Sequence, residues 1–208
     1  SSEVHFPKDL GQLEKAQKRL RFEELFFIQL QLLQKKLEHR KQFKGHLFDK
    51  VGDFFNSFYN NHLPFSLTDA QKRVIKEIRS DFGSGAQMNR LLQGDVGSGK
   101  TIIAFLSALI ALDNQMQATI VAPTEILAQQ HYQTLSQLAA PLGLTIKLFT
   151  GSTKATERKE IHNQLQSGEL QLLVGTHAVL EPNVNFQNLG FAIIDEQHRF
   201  GVAQRAKL

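Results

Sequence analysis

Hydrophobic residues recur at helical spacing through the first 60 residues of the chain. Between residues 9 and 43 they lie three or four positions apart and form one apolar face, made by Phe22, Phe26, Leu30, Leu33 and Leu37. We expect a helix that begins after Asp9 and ends at Gly45, either continuous or divided near residue 20. A second, shorter helix is predicted to close at residues 60–61, from the spacing of Phe48, Val51, Phe55 and Phe58.

The first 65 residues are also rich in phenylalanine and hold ten of the 16 in the chain. Two or three helices cannot bury so many aromatic rings among themselves. We therefore expect this region to pack against the rest of the chain, and against a further neighbour.

The pattern changes after Pro64, because the residue before a proline avoids helical backbone angles. Thr68 is predicted to cap a third helix, and residues 80–87 are predicted to form a loop. Short apolar runs then alternate with helices of about 10–15 residues, which predicts an α/β fold with a mostly parallel sheet flanked by helices. The predicted strands are 88–93, 118–122, 144–149, 170–175 and 190–195, and the predicted helices are 100–112, 124–139, 154–166 and 201–207.

A glycine-rich segment at residues 94–101 fits the phosphate-binding pattern G-x-x-x-x-G-K-[ST] at every required position. It follows a predicted strand and opens a predicted helix, so free N–H groups and the positive end of the helix dipole face one point. Lys100 is expected to reach the β- and γ-phosphates of a nucleotide, and the Thr101 hydroxyl to bind Mg²⁺. The alternative is a glycine-rich turn with a solvated lysine. The predicted nucleotide-binding residues of this loop are Gly94, Asp95, Val96, Gly97, Ser98, Gly99, Lys100 and Thr101.

Two acidic residues end the last predicted strand, at the same sheet edge as the phosphate loop. Asp195 is predicted to hold Mg²⁺ opposite Thr101, and Glu196 to polarise the attacking water. Gln197 and His198 are interpreted as polar contacts toward the γ-phosphate or a second substrate. His198 is not expected to bind metal, because magnesium prefers oxygen ligands. The alternative is a polar strand end without chemistry.

Composition limits the classes of protein, and the distribution of charge weakens the inference of a nucleic-acid partner. The 208 residues are 41% hydrophobic and 21% charged, as in ordinary soluble domains, and include no cysteine, which excludes disulfides and thiolate zinc sites. The net charge of +4 lies entirely in residues 1–50, so charge alone is weak evidence for a nucleic-acid partner. No apolar stretch has membrane-spanning length, so a cytoplasmic protein is expected. The Ser-Ser start and the open end indicate a piece of a longer protein.

Six short sequences carry a family resemblance. They are LPFxLTxAQ at 63–71, QGDVGSGKT at 93–101, APTEILAQQH at 122–131, TGS at 150–152, GTHA at 175–178 and DEQHRFGV at 195–202. Together they resemble the superfamily 2 nucleic-acid helicases, and most closely the RecG-type DNA helicases, bacterial translocases that remodel replication forks. The resemblance implies a RecA-like P-loop ATPase fold. It divides the chain into a helical connector at 1–62 and a first RecA-like motor domain at 63–208.

The resemblance also implies roles for individual residues. Phe65 and Gln71 correspond to the segment that recognises adenine, and Glu196 corresponds to the catalytic base. Contacts to the nucleic-acid backbone, without base reading, are implied for Thr124, Gly151, Ser152, Thr176 and His177. The alternative for Gln71 is a solvated helix residue, and the alternative for Thr124 is a plain helix cap.

For the intact protein the resemblance implies ATP and Mg²⁺ as cofactors and branched or double-stranded DNA as partner. Translocation would need a second RecA-like domain with an arginine finger and an upstream wedge domain, and this chain holds neither. The piece is therefore expected to be a monomer of the bacterial cytoplasm that hydrolyses ATP weakly or not at all.

Three other functions stay open at this point. The first is a double-stranded DNA translocase of the transcription-repair coupling type. The second is a P-loop kinase or other non-helicase ATPase, which would need an arginine-rich lid that residues 101–195 do not show. The third treats residues 1–60 as a protein-docking module beside a structural nucleotide site.

Overall fold

The described part of the chain falls into two units, a long helix and a compact α/β unit. The computed structural model describes residues 9–42 and 44–196, and its compact unit begins at His46. The predicted helix at 201–207 lies outside the described residues. The domain division between residues 62 and 63 stays a prediction about the intact protein.

Helix α1 spans Leu10–Gln42 without interruption, so the alternative with a break near residue 20 is wrong. The Asp9 carboxylate accepts a hydrogen bond from the Gln12 backbone N–H at 2.7 Å and caps the first turn. The predicted apolar face is exposed, and Phe22, which is 66% exposed, stacks on Phe26 with ring centroids 5.8 Å apart. Neither α1 nor any other described helix is long and apolar enough to cross a membrane.

The compact unit alternates helices with the strands of one sheet. Its four strands pair in the order β2-β3-β1-β4, and every pair is parallel. Four predicted strands and three predicted helices are confirmed, with ends that differ by no more than two residues. The strands are β1 (Gln117–Val121), β2 (Ile146–Phe149), β3 (Leu172–Gly175) and β4 (Leu189–Ile194). The helices are α2 (Asp53–Ser57), α3 (Asp69–Phe82), α4 (Lys100–Asp113), α5 (Glu125–Ala139) and α6 (Ala155–Ser167), with a π-helix at Phe58–His62 and 3₁₀ turns at Ala140–Leu142 and His177–Leu180.

Residues 46–62 contribute aromatic side chains to the core of the compact unit. Phe58 is fully buried, with its ring edge-on to Phe105 of α4 at 4.9 Å. Phe48 lies before the first turn of α2 and packs against Phe82 of α3 at 4.6 Å, so the predicted second helix starts later than expected. Helix α3 ends at Phe82, two residues beyond the predicted start of the loop that follows it. The predicted packing of the phenylalanine-rich region is therefore confirmed for residues 46–62 only, since the apolar face of α1 is exposed.

Alternate strand residues divide the core between the two faces of the sheet. On one face Leu172 and Val174 of β3 pack with α3, α4 and α5, and on the other Leu173 packs with Ile161 and Leu165 of α6. Helix α4 is apolar on nearly all sides and is buried over most of its length. Helices therefore cover both faces of a parallel sheet, as the sequence predicts.

Residues 88–93 form no strand in the described structure, so that prediction is wrong. Leu91 is 60% exposed, and Arg90 is held by ion pairs to Glu77 and Asp81 at 2.7 and 2.8 Å. A strand forms only where a neighbouring strand offers backbone N–H and C=O groups. A local apolar pattern supplies no such neighbour, and in the described sheet residues 88–93 pair with neither outer strand, β2 or β4.

Candidate nucleotide and nucleic-acid site

The loop before α4 has the backbone shape of an anion cradle. Gly97 and Gly99 have φ of +78° and +80°, a left-handed conformation that residues with a Cβ rarely adopt. A Cβ added at Gly94 would lie 2.6 Å from Ser98 Oγ, closer than real contacts allow. Helix α4 begins at Lys100, directly after this turn, so its free N–H groups open onto the loop. This geometry suits a bound phosphate.

The Lys100 side chain lies across the same loop. Its ammonium donates hydrogen bonds to the carbonyl oxygens of Gly94 and Asp95, at 2.7 and 2.8 Å. Hydrogen bonds to an anion are stronger than those to a neutral carbonyl, so phosphate oxygens can replace these partners. Thr101, the next residue, is half-buried in the first turn of α4.

Gln71 connects α3 to the phosphate loop. Its Nε2 donates to the Ser98 carbonyl at 2.9 Å, and its Oε1 accepts from the Thr68 N–H at 2.8 Å. The second bond is half of a capping box at the start of α3, which confirms the predicted Thr68 cap. Each end of the amide makes one hydrogen bond, which leaves one N–H and one oxygen lone pair for adenine, and recognition by Gln71 stays a prediction. Phe65, in the same segment, is exposed.

Asp195 follows β4 and continues its pairing with β1, since its N–H donates to the Val121 carbonyl at 2.9 Å. Both oxygens of its carboxylate are held. Oδ2 lies 2.7 Å from Nε2 of His131, and Oδ1 accepts from the Glu196 N–H at 3.0 Å. Glu196 has φ of +47°, an uncommon backbone conformation that clusters at functional sites. Two further predicted contacts lie outside the described residues, Gln197 and His198.

The charge of Lys100 reaches the Asp195 carboxylate. The pKa of Asp195 is lowered from its ordinary value, first by the hydrogen bond to His131, while burial acts in the opposite direction. The electrostatic effect of His131, the hydrogen bond from the Glu196 N–H and the electrostatic effect of Lys100 lower the pKa further. The carboxylate is therefore kept in the ionised form that can bind a cation.

The residues at this site fit a magnesium nucleotide. Thr101 and Asp195 offer hydroxyl and carboxylate oxygens, the donors that Mg²⁺ prefers. Over residues 9–42 and 44–196, no group of three or more His, Asp or Glu side chains could hold a metal ion by itself. Magnesium would therefore be bound together with phosphate oxygens, as is usual at nucleotide sites.

A second polar cluster joins the start of α5 to the loop after β2. Thr124 Oγ1 accepts from the Leu127 N–H at 3.3 Å and caps α5. Glu125 accepts from both the backbone N–H and the hydroxyl of Ser152, at 3.1 and 2.9 Å. Gly151 is so near that an added Cβ would lie 3.2 Å from Glu125 Oε1. Three of the five predicted nucleic-acid residues are thus brought together.

Thr176 and His177, at the end of β3, differ in exposure. Thr176 is 2% exposed and its hydroxyl has no hydrogen-bond partner within the described part of the chain, whereas His177 is exposed. The buried Thr176 hydroxyl could contact a phosphate only after a local rearrangement, whereas His177 is already accessible. Both predicted contacts stay predictions.

The family model for DEAD/DEAH box helicases matches residues 68–208. The chain belongs to the DEAD/DEAH box helicase family. It is similar to two proteins named ATP-dependent DNA helicase RecG, with 50% identity over 100% of this chain for that of Synechocystis and 46% over 97% for that of Streptococcus pneumoniae. A solved structure of RecG bound to a three-way DNA junction is 42% identical over 96% of this chain, with a TM-score of 0.86. The chain spans 25%, 30% and 27% of the lengths of these three proteins.

Sequence reasoning missed two side chains that hold the candidate site together. His131 lies on α5 seven residues after Thr124, a spacing that places both on one helix face and could have indicated it. Arg158 of α6 donates to the carbonyl oxygens of Thr150 and Gly151, at 2.8 and 3.3 Å. A lone arginine on a predicted helix carries no signal of such a contact.

Proposed function

We propose that the chain is the ATP-binding motor domain of a RecG-type, ATP-dependent DNA helicase. The observation that carries this proposal is the glycine-rich anion cradle directly before α4, with the Lys100 ammonium lying across it. Similarity to proteins named RecG over nearly the whole chain supports it. The activity, DNA substrate and partner domains of the intact protein belong to the proposal, because the chain spans only 25–30% of these relatives.

At the nucleotide site, the loop N–H groups and Lys100 bind and orient the phosphates of ATP. Thr101 and Asp195 hold Mg²⁺, which when bound neutralises negative charge on the phosphates. Glu196 orients the attacking water and accepts its proton. The adenine contacts are assigned to Phe65 and Gln71, and contacts near the γ-phosphate to Gln197 and His198.

The polar positions after β1, β2 and β3 form the proposed DNA-facing surface. The N-terminus of α5 at Thr124, the loop at Gly151 and Ser152, and the exposed His177 offer N–H, hydroxyl and imidazole groups that suit phosphates and read no base. The partner is proposed to be branched double-stranded DNA. We further propose that the intact protein is a monomer of the bacterial cytoplasm, in which a second RecA-like domain and a wedge domain complete the motor.

Two substitutions in the full-length protein test this function. Lys100→Ala is expected to abolish nucleotide binding and with it DNA-stimulated ATP hydrolysis. Glu196→Gln is expected to keep nucleotide binding and to lower kcat by about 100-fold or more, because the water loses its base. ATP hydrolysis is measured with and without a branched DNA, and Lys72→Ala, on an exposed part of α3, is the control. If DNA-stimulated hydrolysis survives in both variants, the assignment is wrong.

A further inference from the structure

The Asp195 carboxylate is oriented by two donors before any cation reaches it. His131 contacts Oδ2 at 2.7 Å, and the Glu196 N–H contacts Oδ1 at 3.0 Å. Asp195 keeps 33% of its side chain exposed, so a cation can still reach the carboxylate. Because each oxygen has its own donor, the two hydrogen bonds fix the rotation of the carboxylate.

Helix α5 holds His131 rigidly in place. Ala128 and Leu135, one turn before and one turn after it, are both fully buried against the sheet. His131 shares their face of the helix, and its side chain is 20% exposed. The imidazole therefore approaches Asp195 from a packed helix rather than from a mobile surface loop.

The chemistry of this contact assigns the donor. An ionised carboxylate can only accept hydrogen bonds, so the His131 ring must carry its hydrogen on Nε2. A protonated Nε2 cannot bind a metal ion through that atom. His131 is thus placed one shell behind the oxygen ligand and is not a ligand itself. Outer-shell partners of this kind orient metal ligands, and their loss typically lowers metal affinity or activity 10- to 100-fold.

We propose that His131 is a positioning residue that holds the Asp195 carboxylate in the orientation required for Mg²⁺ at the nucleotide site. This inference rests on the proposed ATP-binding function. It assigns a role to His131, which lies on α5 two turns after the N-cap Thr124. The effect of His131 is exerted through Asp195, so nucleotide binding without magnesium should not depend on it.

The test compares His131→Ala, His131→Gln and Gln133→Ala in the full-length protein. Gln133 is an exposed residue of the same helix and serves as the matched control. The probe is a non-hydrolysable ATP analogue that carries a methylanthraniloyl fluorophore, titrated with and without Mg²⁺. His131→Ala is expected to raise the Mg²⁺ concentration at half-saturation by about tenfold and to leave magnesium-free binding unchanged. His131→Gln retains an N–H donor and is expected to restore most of the loss.

Three results would overturn the inference. One is a Mg²⁺ requirement of His131→Ala equal to that of Gln133→Ala. Another is equal weakening of binding with and without magnesium, which would indicate a merely structural role. The third is failure of His131→Gln to improve on His131→Ala while both variants stay folded by circular dichroism. If the wild type binds the analogue and Lys100→Ala does not, these results reject the role of His131 alone. If the wild type does not bind it, the proposed function fails as well.

Discussion

At the residue scale, Arg158 shows how one side chain can shape a whole loop. Its guanidinium donates to the carbonyl oxygens of Thr150, Gly151 and Thr153, at 2.8, 3.3 and 3.1 Å. The same group lies 4.8 Å from the centroid of the Phe149 ring, a cation–π contact. The loop after β2, with its proposed DNA contacts, is therefore fixed from α6.

Replacing Arg158 by alanine is expected to lower the free energy of unfolding by about 2 kcal/mol, because three carbonyl groups lose a charged donor in a partly exposed place. Arg158→Lys should recover little of this, since an ammonium lacks the planar fork that reaches several carbonyls at once. Urea denaturation measures both variants against Arg73→Ala, a change at an exposed position of α3. Equal stability of Arg158→Ala and Arg73→Ala would contradict the anchoring role.

At the element scale, α2 depends on a cap that comes from another helix. Its N-cap position is Gly52, which has no side chain to accept a hydrogen bond. The Asp113 carboxylate, at the end of α4, accepts instead from the N–H groups of Gly52, Phe54 and Phe55, at 2.9, 2.9 and 3.1 Å. The negative charge of this carboxylate also interacts favourably with the positive end of the α2 dipole. One carboxylate thus joins two elements.

Asp113→Ala is expected to reduce stability by about 2 kcal/mol, because three N–H groups lose their acceptor and the helix loses a favourable charge. Asp113→Asn keeps one acceptor oxygen and should lie between alanine and the wild type. The control is Asp49→Ala, at an exposed carboxylate outside α2. Chemical denaturation of all three variants tests the ranking, and an Asp113→Ala protein as stable as the control would disprove the shared cap.

At the scale of the whole molecule, aromatic contacts join residues 46–62 to the core of the compact unit. Phe48 contacts Phe82 at 4.6 Å, and Phe82 contacts Phe191 of β4 at 5.1 Å. Phe58 contacts Phe105 of α4, the helix that begins directly after the phosphate loop. Residues 46–62 therefore stabilise the same core that supports the nucleotide site.

Phe58→Ala is expected to lower the free energy of unfolding by about 3–5 kcal/mol, because a fully buried ring leaves a cavity beside α4. Phe22→Ala, the same substitution at an exposed position of α1, is the matched control and should change stability little. Calorimetry or urea denaturation distinguishes the two. Similar losses for both variants would show that Phe58 is not part of the compact core.

Much of the fold and part of the site could be predicted because their signals are local. A buried strand or an amphipathic helix shows its period within ten or fifteen residues, so β1 to β4 and α4 to α6 were found to within two residues. The phosphate loop is one continuous segment whose glycine positions follow from backbone conformation. Asp195 was recognisable because an acid directly follows an apolar strand.

The sequence by itself determined the alternation of elements, the glycine-rich loop before α4 and the acid at the strand end, since each depends on neighbours along the chain. Tertiary structure alone decided which groups meet across long separations, such as His131 with Asp195 and Asp113 with the start of α2. It also decided that residues 88–93 form no strand and that Thr176 is buried. Strand pairing, burial and side-chain contact require a partner in space, and a local pattern of residues does not specify that partner.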